Sequence, residues 1–358
     1  MPVAKDTKNY SQVVRSVLTP QEFGKDLYRS TNLWKPYGTR GIFGGHIVSQ
    51  ALMAAYQTVA SEFGLNSLHS YFVLPAKKDI PTEYYVTRER DGRTFATRTV
   101  HTKQNGATIF VIICSFQREE MSHISHQTKM PDTPTPDEVL ESTTDSAKKF
   151  HSSRILGDSD LPIPIVNRTI HIDHDPENPI ASRLSWVRVN CDLDGLEPLY
   201  HQAMTVFLSD FLLAKTGLFP YITSLKGNTS TSLTESDKES PEAQFEFQFM
   251  VSLDHSVWFH NIRDVSKWML YEMETTWGDN GRVLCHGRLY SSIDGSLIAS
   301  TSQEALCRYR PKAGANVTFK NQDGTSVFPP ALFERPAPKY CGKLSPVPNA
   351  NIIQTSKL

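Results

Sequence analysis

One supersecondary unit is spelled twice along this chain, and only the second spelling carries an acidic residue at its centre. The first copy reads Leu68-His69-Ser70, then strand-like runs broken by Asp91-Gly92 and Asn105-Gly106, then Ser115-Phe116-Gln117. The second reads Asp254-His255-Ser256, Asn280-Gly281, Asp294-Gly295 and Thr301-Ser302-Gln303. His69 to Gln117 and His255 to Gln303 each span 48 residues, and Gly92 to Gly106 and Gly281 to Gly295 each span 14. A His-Ser pair, two turn glycines and a terminal Gln that keep such spacings describe a tandem duplication, which has to be recognised before any fold is assigned.

Each copy has the pattern of one helix followed by an antiparallel meander. Residues 44–62 place Ile47, Ala51, Ala54 or Ala55, and Val59 on one stripe, entered through Gly44-Gly45. The runs from Glu83 to Arg90, Thr94 to Thr102 and Ala107 to Gln117 are rich in Tyr, Val, Thr, Phe and Ile, joined by Asp-Gly and Asn-Gly. Those dipeptides favour two-residue hairpin turns, because both central residues tolerate positive φ. The second helix is expected from Pro198 to Lys215, with Pro at its start and Gly217 just past its end. Its meander follows as Trp268 to Thr276, Arg282 to Ser291 and Leu297 to Leu306. An apolar helix stripe and an apolar sheet face satisfy one another when the sheet curls round the helix. The fold class is α+β, with a long central helix wrapped by a curved antiparallel sheet, twice. The expected organisation is a first unit over 10–120, a linker over 121–180 and a second unit over 181–312. A polar insertion occupies 224–244, and 313–358 form an irregular tail.

With 358 residues, 39% of them hydrophobic and 21% charged, the chain has room for two domains with cores of their own. A net charge of −1 without a long Lys/Arg run leaves no electrostatic footprint for nucleic acid. No apolar run reaches the roughly 18 residues of a membrane-spanning helix. The five cysteines form no CxxC and nothing resembles a signal peptide, so reduced thiols in an intracellular protein are expected.

Aligning Val48-Ser49-Gln50-Ala51-Leu52 with Leu208-Ser209-Asp210-Phe211-Leu212 sets Gln50 opposite Asp210. With the His-Ser pairs in register, Asn66 falls opposite Ser252 and Gln117 opposite Gln303. Only the second copy then holds a proton acceptor. A carboxylate inside an apolar helix needs hydrogen-bond partners or a proton. Beside a hydroxyl and a carboxamide, it has the chemistry of a general base for a positioned water. The competing reading is that Asp210 braces a turn, Ser252 is an ordinary strand residue and Gln303 pairs with backbone.

The runs Arg40-Gly41-Ile42-Phe43-Gly44-Gly45-His46-Ile47-Val48-Ser49-Gln50-Ala51-Leu52, Leu68-His69-Ser70-Tyr71-Phe72, Leu208-Ser209-Asp210, Ser252-Leu253-Asp254-His255-Ser256-Val257-Trp258-Phe259-His260 and Ala299-Ser300-Thr301-Ser302-Gln303-Glu304 resemble the acyl-CoA thioesterase II family, the double-hotdog thioester hydrolases. The resemblance implies a tandem hotdog fold and hydrolysis of acyl-CoA to free fatty acid and CoA. It also implies a water oriented jointly by an Asp, a Ser or Thr, and a Gln, which map onto Asp210, Ser252 and Gln303. His46 stands where Gln is common in the family, and Ser252 where some relatives carry Thr. Gly44, Gly45, His46 and His255 are candidate substrate-binding residues. Backbone N–H groups near the helix start could hold an oxyanion, although Gly44-Gly45 fit close packing equally well. No metal or other cofactor is expected. Two other readings stay open: a hotdog enoyl-CoA hydratase, whose Asp-x-Asn-Pro-x-x-His type of motif is not found, and a non-catalytic acyl-CoA binder.

Ser356-Lys357-Leu358 spell a peroxisomal address, so the peroxisomal matrix and an import receptor are expected location and partner. Hotdog units commonly associate through sheet edges, so the fused pair is expected to pair again as a homo-oligomer. His260-Asn261-Ile262-Arg263-Asp264 matches a short acyltransferase pattern but is followed by Val265, not Gly. His171-Ile172-Asp173-His174-Asp175 is expected to be a solvated stretch of the linker, and Trp258-Phe259, Trp268 and Tyr271 to be core.

Overall fold

The computed structural model describes residues 9–36, 41–141, 161–174, 181–218 and 245–311. The insertion 224–244, the tail 313–358 with Ser356-Lys357-Leu358, and Arg40 lie outside the described residues. In chain order the elements are α1 (Tyr10–Leu18), β1 (Gln21–Gly24), β2 (Leu27–Ser30), α2 (Gly44–Tyr56), β3 (Phe63–Phe72), β4 (Thr82–Asp91), β5 (Phe95–Gln104) and β6 (Ala107–Arg118). They continue with α3 (Pro136–Glu141), β7 (Ile165–His174), β8 (Ala181–Val189), α4 (Pro198–Thr216), β9 (Phe245–Ser252), β10 (Asp254–Phe259), β11 (Met269–Asp279), β12 (Arg282–Ser291) and β13 (Leu297–Pro311).

Turn chemistry sets the hairpins. Asn105-Gly106 has φ of 49° and 80°, and Asn280-Gly281 has 52° and 70°, the left-handed pair that a tight two-residue turn requires. The Asp-Gly pairs behave differently. β4 ends at Asp91, and the Gly92 N–H donates to Phe95 O across a wider loop, so Asp91-Gly92 is not a two-residue tip.

The strands join one sheet in the order β1-β2-β4-β5-β6-β3-β10-β13-β12-β11-β8-β7, with β9 also paired to β13. This order is symmetric about the β3–β10 junction, where Leu68, His69, Ser70 and Tyr71 face Val257, Ser256, His255 and Asp254. α2 and α4 pack on each other and on the inner sheet face. Ile47, Val48, Leu52, Val206, Phe207 and Leu213 share one core with Ile112, Phe116, Val257 and Ile298. Every residue of α2 from Gly45 to Tyr56 is buried, as expected of a helix enclosed by sheet and partner helix. The fold is α+β, a double hotdog.

Symmetry of the sheet corrects the register read from the sequence. His69 is exposed while His255 is fully buried, and Gln117 bonds Glu120 at the surface while Gln303 is fully buried. A one-residue slip moves every side chain to the opposite face, so these pairs are not counterparts. The equal-length strands β5 and β12 give the true match. Arg98 pairs with Cys114 as Cys285 pairs with Gln303, and Ser70 pairs with Ile112 as Val257 pairs with Thr301. Leu65, Leu68, Ile112 and Cys114 therefore occupy in the first half the places of Ser252, His255, Thr301 and Gln303 in the second.

Four further expectations change. Residues 165–174, expected within a linker, form β7, and with β8 they repeat the place of β1 and β2; His171 to His174 are strand, not loop. The described linker residues are strapped to the second half. Trp186 Nε1 donates to Pro134 O at 2.9 Å, and the Gln127 carboxamide bonds both Gly295 O and Leu297 N. α2 stops at Tyr56 rather than 62, where the buried Arg98 guanidinium holds the Thr58 carbonyl and hydroxyl. Trp258, expected in the core, is 39% exposed on the outer sheet face. No helix among the described residues is long and apolar enough to cross a membrane.

Candidate active site

α4 begins with Pro198 in its first turn, where a missing N–H costs nothing, and ends before Gly217. Its inward residues are Val206, Phe207, Leu208, Leu212 and Leu213, and among them Asp210 is only 8% exposed. Two donors meet its carboxylate. The N–H of Gly45, in the first turn of α2, donates to Oδ2 at 2.6 Å, and Gln303 Nε2 donates to Oδ1. The positive end of the α2 dipole thus faces the acid of the other half.

Gln303 is the hinge of the cluster. Its Oε1 accepts the Ala214 N–H at 3.1 Å, which orients the carboxamide, and its Nε2 also donates to Ser252 Oγ at 3.0 Å. Both amide hydrogens are then engaged. Ser252 Oγ accepts one of them and keeps its own proton, for which no acceptor occurs among the described residues. The three side chains drawn from α4, β9 and β13 therefore meet, although 93 residues separate Asp210 from Gln303.

The two glycines do different things. A Cβ at Gly45 would lie 2.7 Å from the Phe207 carbonyl, so this residue permits the close crossing of α2 and α4. A Cβ at Gly44 would lie 2.9 Å from Asp210 Oδ2 and 3.0 Å from Phe72 Cζ, so its absence leaves the carboxylate edge open. The Gly45 amide is engaged by Asp210, which removes it as the oxyanion donor that the helix start suggested.

His46 is corrected as a substrate contact. The Trp34 N–H donates to its Nδ1 and its Nε2 donates to Val17 O, both at 3.2 Å, and the ring is fully buried. No ring nitrogen remains for a ligand. Burial pulls its pKa from 6.5 down to about 4, with the Val17 carbonyl opposing the shift. His46 is a brace between α1, the residues before α2, and α2 itself.

His255 is also fully buried, its pKa lowered by desolvation against the charge of Asp210. Its Nε2 lies 2.8 Å from Ser209 Oγ, while its Nδ1 has no partner among the described residues. Ser209, Tyr271 and Thr301 complete a polar cluster behind Asp210: Tyr271 OH donates to Ser209 O at 2.8 Å and lies 3.1 Å from Thr301 Oγ1. The sequence marked Tyr271 as core and Thr301 as part of the repeat, but nothing in it marked either as a site residue.

Among its described residues the first half holds no such site. Gln50, opposite Asp210, donates to Val17 O and Ser30 Oγ and accepts from Tyr84 OH at 2.6 Å. It is a fully satisfied core carboxamide. The acyltransferase-like pattern also dissolves, because His260 bonds Ser300 while Asp264 caps Ser266.

Both halves of the chain match known protein families. The family model of the acyl-CoA thioesterase C-terminal domain matches residues 136–307, and that of the N-terminal domain matches residues 31–117. Acyl-coenzyme A thioesterase 8 of Rattus norvegicus is 33% identical over 316 residues, covering 84% of this chain and 91% of its own. Peroxisomal acyl-coenzyme A thioester hydrolase 1 of Saccharomyces cerevisiae is 23% identical over 335 residues, covering 79% and 90%. The crystal structure of acyl-CoA thioesterase II TesB2 from Mycobacterium marinum superposes with a TM-score of 0.61 at 26% identity, covering 83% of this chain and 98% of that one.

Proposed function

Since the chain belongs to the acyl-CoA thioesterase II family and is an acyl-CoA thioester hydrolase, we propose that Asp210 is its general base and that Ser252 and Gln303 orient the hydrolytic water. The observation that carries this reading is the single carboxamide nitrogen of Gln303 bonded to both the Asp210 carboxylate and the Ser252 hydroxyl. A water held against these groups has a proton acceptor on one side and fixed dipoles on the other.

The steps balance without a covalent enzyme intermediate. The water oxygen attacks the thioester carbonyl carbon as Asp210 takes the water proton. The tetrahedral intermediate collapses with cleavage of the C–S bond, and the departing CoA thiolate receives that proton. Fatty acid and CoA are released. A thioester carbonyl gains less resonance donation than an oxygen ester, so a positioned water suffices as nucleophile.

A thiol-release assay on wild type and Asp210→Asn tests the assignment. We expect CoA release by wild type and a loss of about 10²-fold or more in the folded variant. Equal rates would remove Asp210 from the mechanism.

A peroxisomal location belongs to the same proposal. It is supported by Ser356-Lys357-Leu358, which an import receptor reads at a free carboxyl terminus, and by the name of the yeast relative. Microscopy of a fluorescent fusion, with and without the last three residues, checks it; a location indifferent to the tripeptide rejects the address. Association into a homo-oligomer is proposed on the hotdog architecture and is read by light scattering.

A further inference from the structure

We infer that His255 is a positioning residue for the hydrolysis, acting through Ser209 to hold the turn of α4 that presents Asp210. The inference rests on Asp210 being the general base.

His255 stands beside the site on the inner sheet face. The Glu304 N–H donates to Asp254 Oδ1 at 2.7 Å, so the next residue on β10 is set alongside Gln303 on β13, and both are fully buried. From there the ring reaches the helix residue next to Asp210. With the Ser209 hydroxyl proton placed on Val206 O at 2.9 Å, the 2.8 Å contact to His255 is read as an Nε2–H donation to Ser209 Oγ. This assigns the neutral tautomer with the proton on Nε2 and leaves Nδ1 as a bare, buried acceptor.

Packing alone does not call for that ring. The duplicated half carries out the same packing with Leu68 at the place of His255 and Ile112 at the place of Thr301, both fully buried. A buried acceptor without a partner is unfavourable, and an aliphatic side chain there is demonstrably compatible with the fold. The polar pair is present only in the half that holds the acid. On the helix, Ser209 is held from two sides, by His255 at its hydroxyl and by Tyr271 at its carbonyl. Asp210, the next residue, is thereby aimed at Gly45 N and Gln303 Nε2.

The test compares full-length His255→Leu, His255→Gln, Ser209→Ala and Asp210→Asn with wild type, reading kcat, KM and thermal unfolding. His255→Leu copies the residue of the sister half. It should unfold with wild type while kcat falls about 10- to 100-fold and KM stays within about twofold, as expected when a reacting group is misplaced by a fraction of an ångström. His255→Gln restores an N–H at the position of Nε2 and should recover most of kcat; Ser209→Ala should lose what His255→Leu loses. Wild-type kcat in His255→Leu, or an equal loss in the Gln variant, overturns the proposal. If His255→Leu does not fold, an undiminished kcat in Ser209→Ala overturns it instead. Full activity in Asp210→Asn removes the premise, whereas an inactive Asp210→Asn beside a fully active His255→Leu rejects this inference alone.

Discussion

The backbone N–H of Gly45 donates to the Asp210 carboxylate at 2.6 Å, a bond between the start of one half's helix and the middle of the other's. Duplication thus did more than enlarge the core. It set the helix N-terminus of the half without an acid against the acid of the other half, so each supplies part of one site.

Gln303 should be less replaceable than its neutral side chain suggests. Glu in its place would set a second carboxylate against Oδ1 of Asp210 and leave the Ala214 N–H and Ser252 with altered partners. We expect Gln303→Glu to lose about 10²-fold or more in kcat while far-ultraviolet circular dichroism is unchanged. Activity near wild type would show that the carboxamide orients nothing.

At Ser252 the hydroxyl should matter more than the size of the residue. Ser252→Thr should stay within a few-fold of wild type, and Ser252→Ala should fall about 10- to 100-fold in kcat by thiol release. Equal activity of the Ala and Thr variants contradicts this.

The two glycines should separate stability from turnover. Gly45→Ala drives a methyl into the Phe207 carbonyl and should lower stability by about 1–3 kcal/mol in urea unfolding. Gly44→Ala sets its methyl against Asp210 Oδ2 and the Phe72 ring, so its larger effect should be on kcat. The opposite ranking would reverse the roles given to the two residues.

His46 should make folding pH-dependent. Its pKa in the fold is about 4 against 6.5 unfolded, so as pH falls the unfolded chain takes the proton first. The contribution is fully present above 6.5 and is lost as pH falls toward 4, on the order of 3 kcal/mol in total. Denaturation midpoints of wild type and His46→Gln across pH 4 to 7 measure it; the variant should show a shallower decline, and parallel curves would exclude His46 as the source.

Much of this was legible in the residues. The helices starting at Gly44 and Pro198, the Asn-Gly hairpins and the lone Asp210 all follow from local rules, because capping, φ preference and periodicity act within a few residues. Asp210, Ser252 and Gln303 were marked by composition and resemblance, and the fold brings them into contact. β1, β2, β3, β7, β8, β9, β10 and α1 were missed: β1 and β2 have four residues each, and the others lie in runs to which the repeat gave no hairpin or helical signal. The sequence repeat also misplaced its own counterparts, pairing His69 with His255 across opposite faces.

By itself, then, the amino-acid order determined that two like halves exist, that each is a helix with a meander, and that only one contains an acid. Tertiary structure alone decided the strand register, the face on which each histidine lies, and the partners of Asp210. The reason is that register depends on pairing between strands as far apart as β3 and β10, where a single-residue slip exchanges inside for outside without changing any local preference.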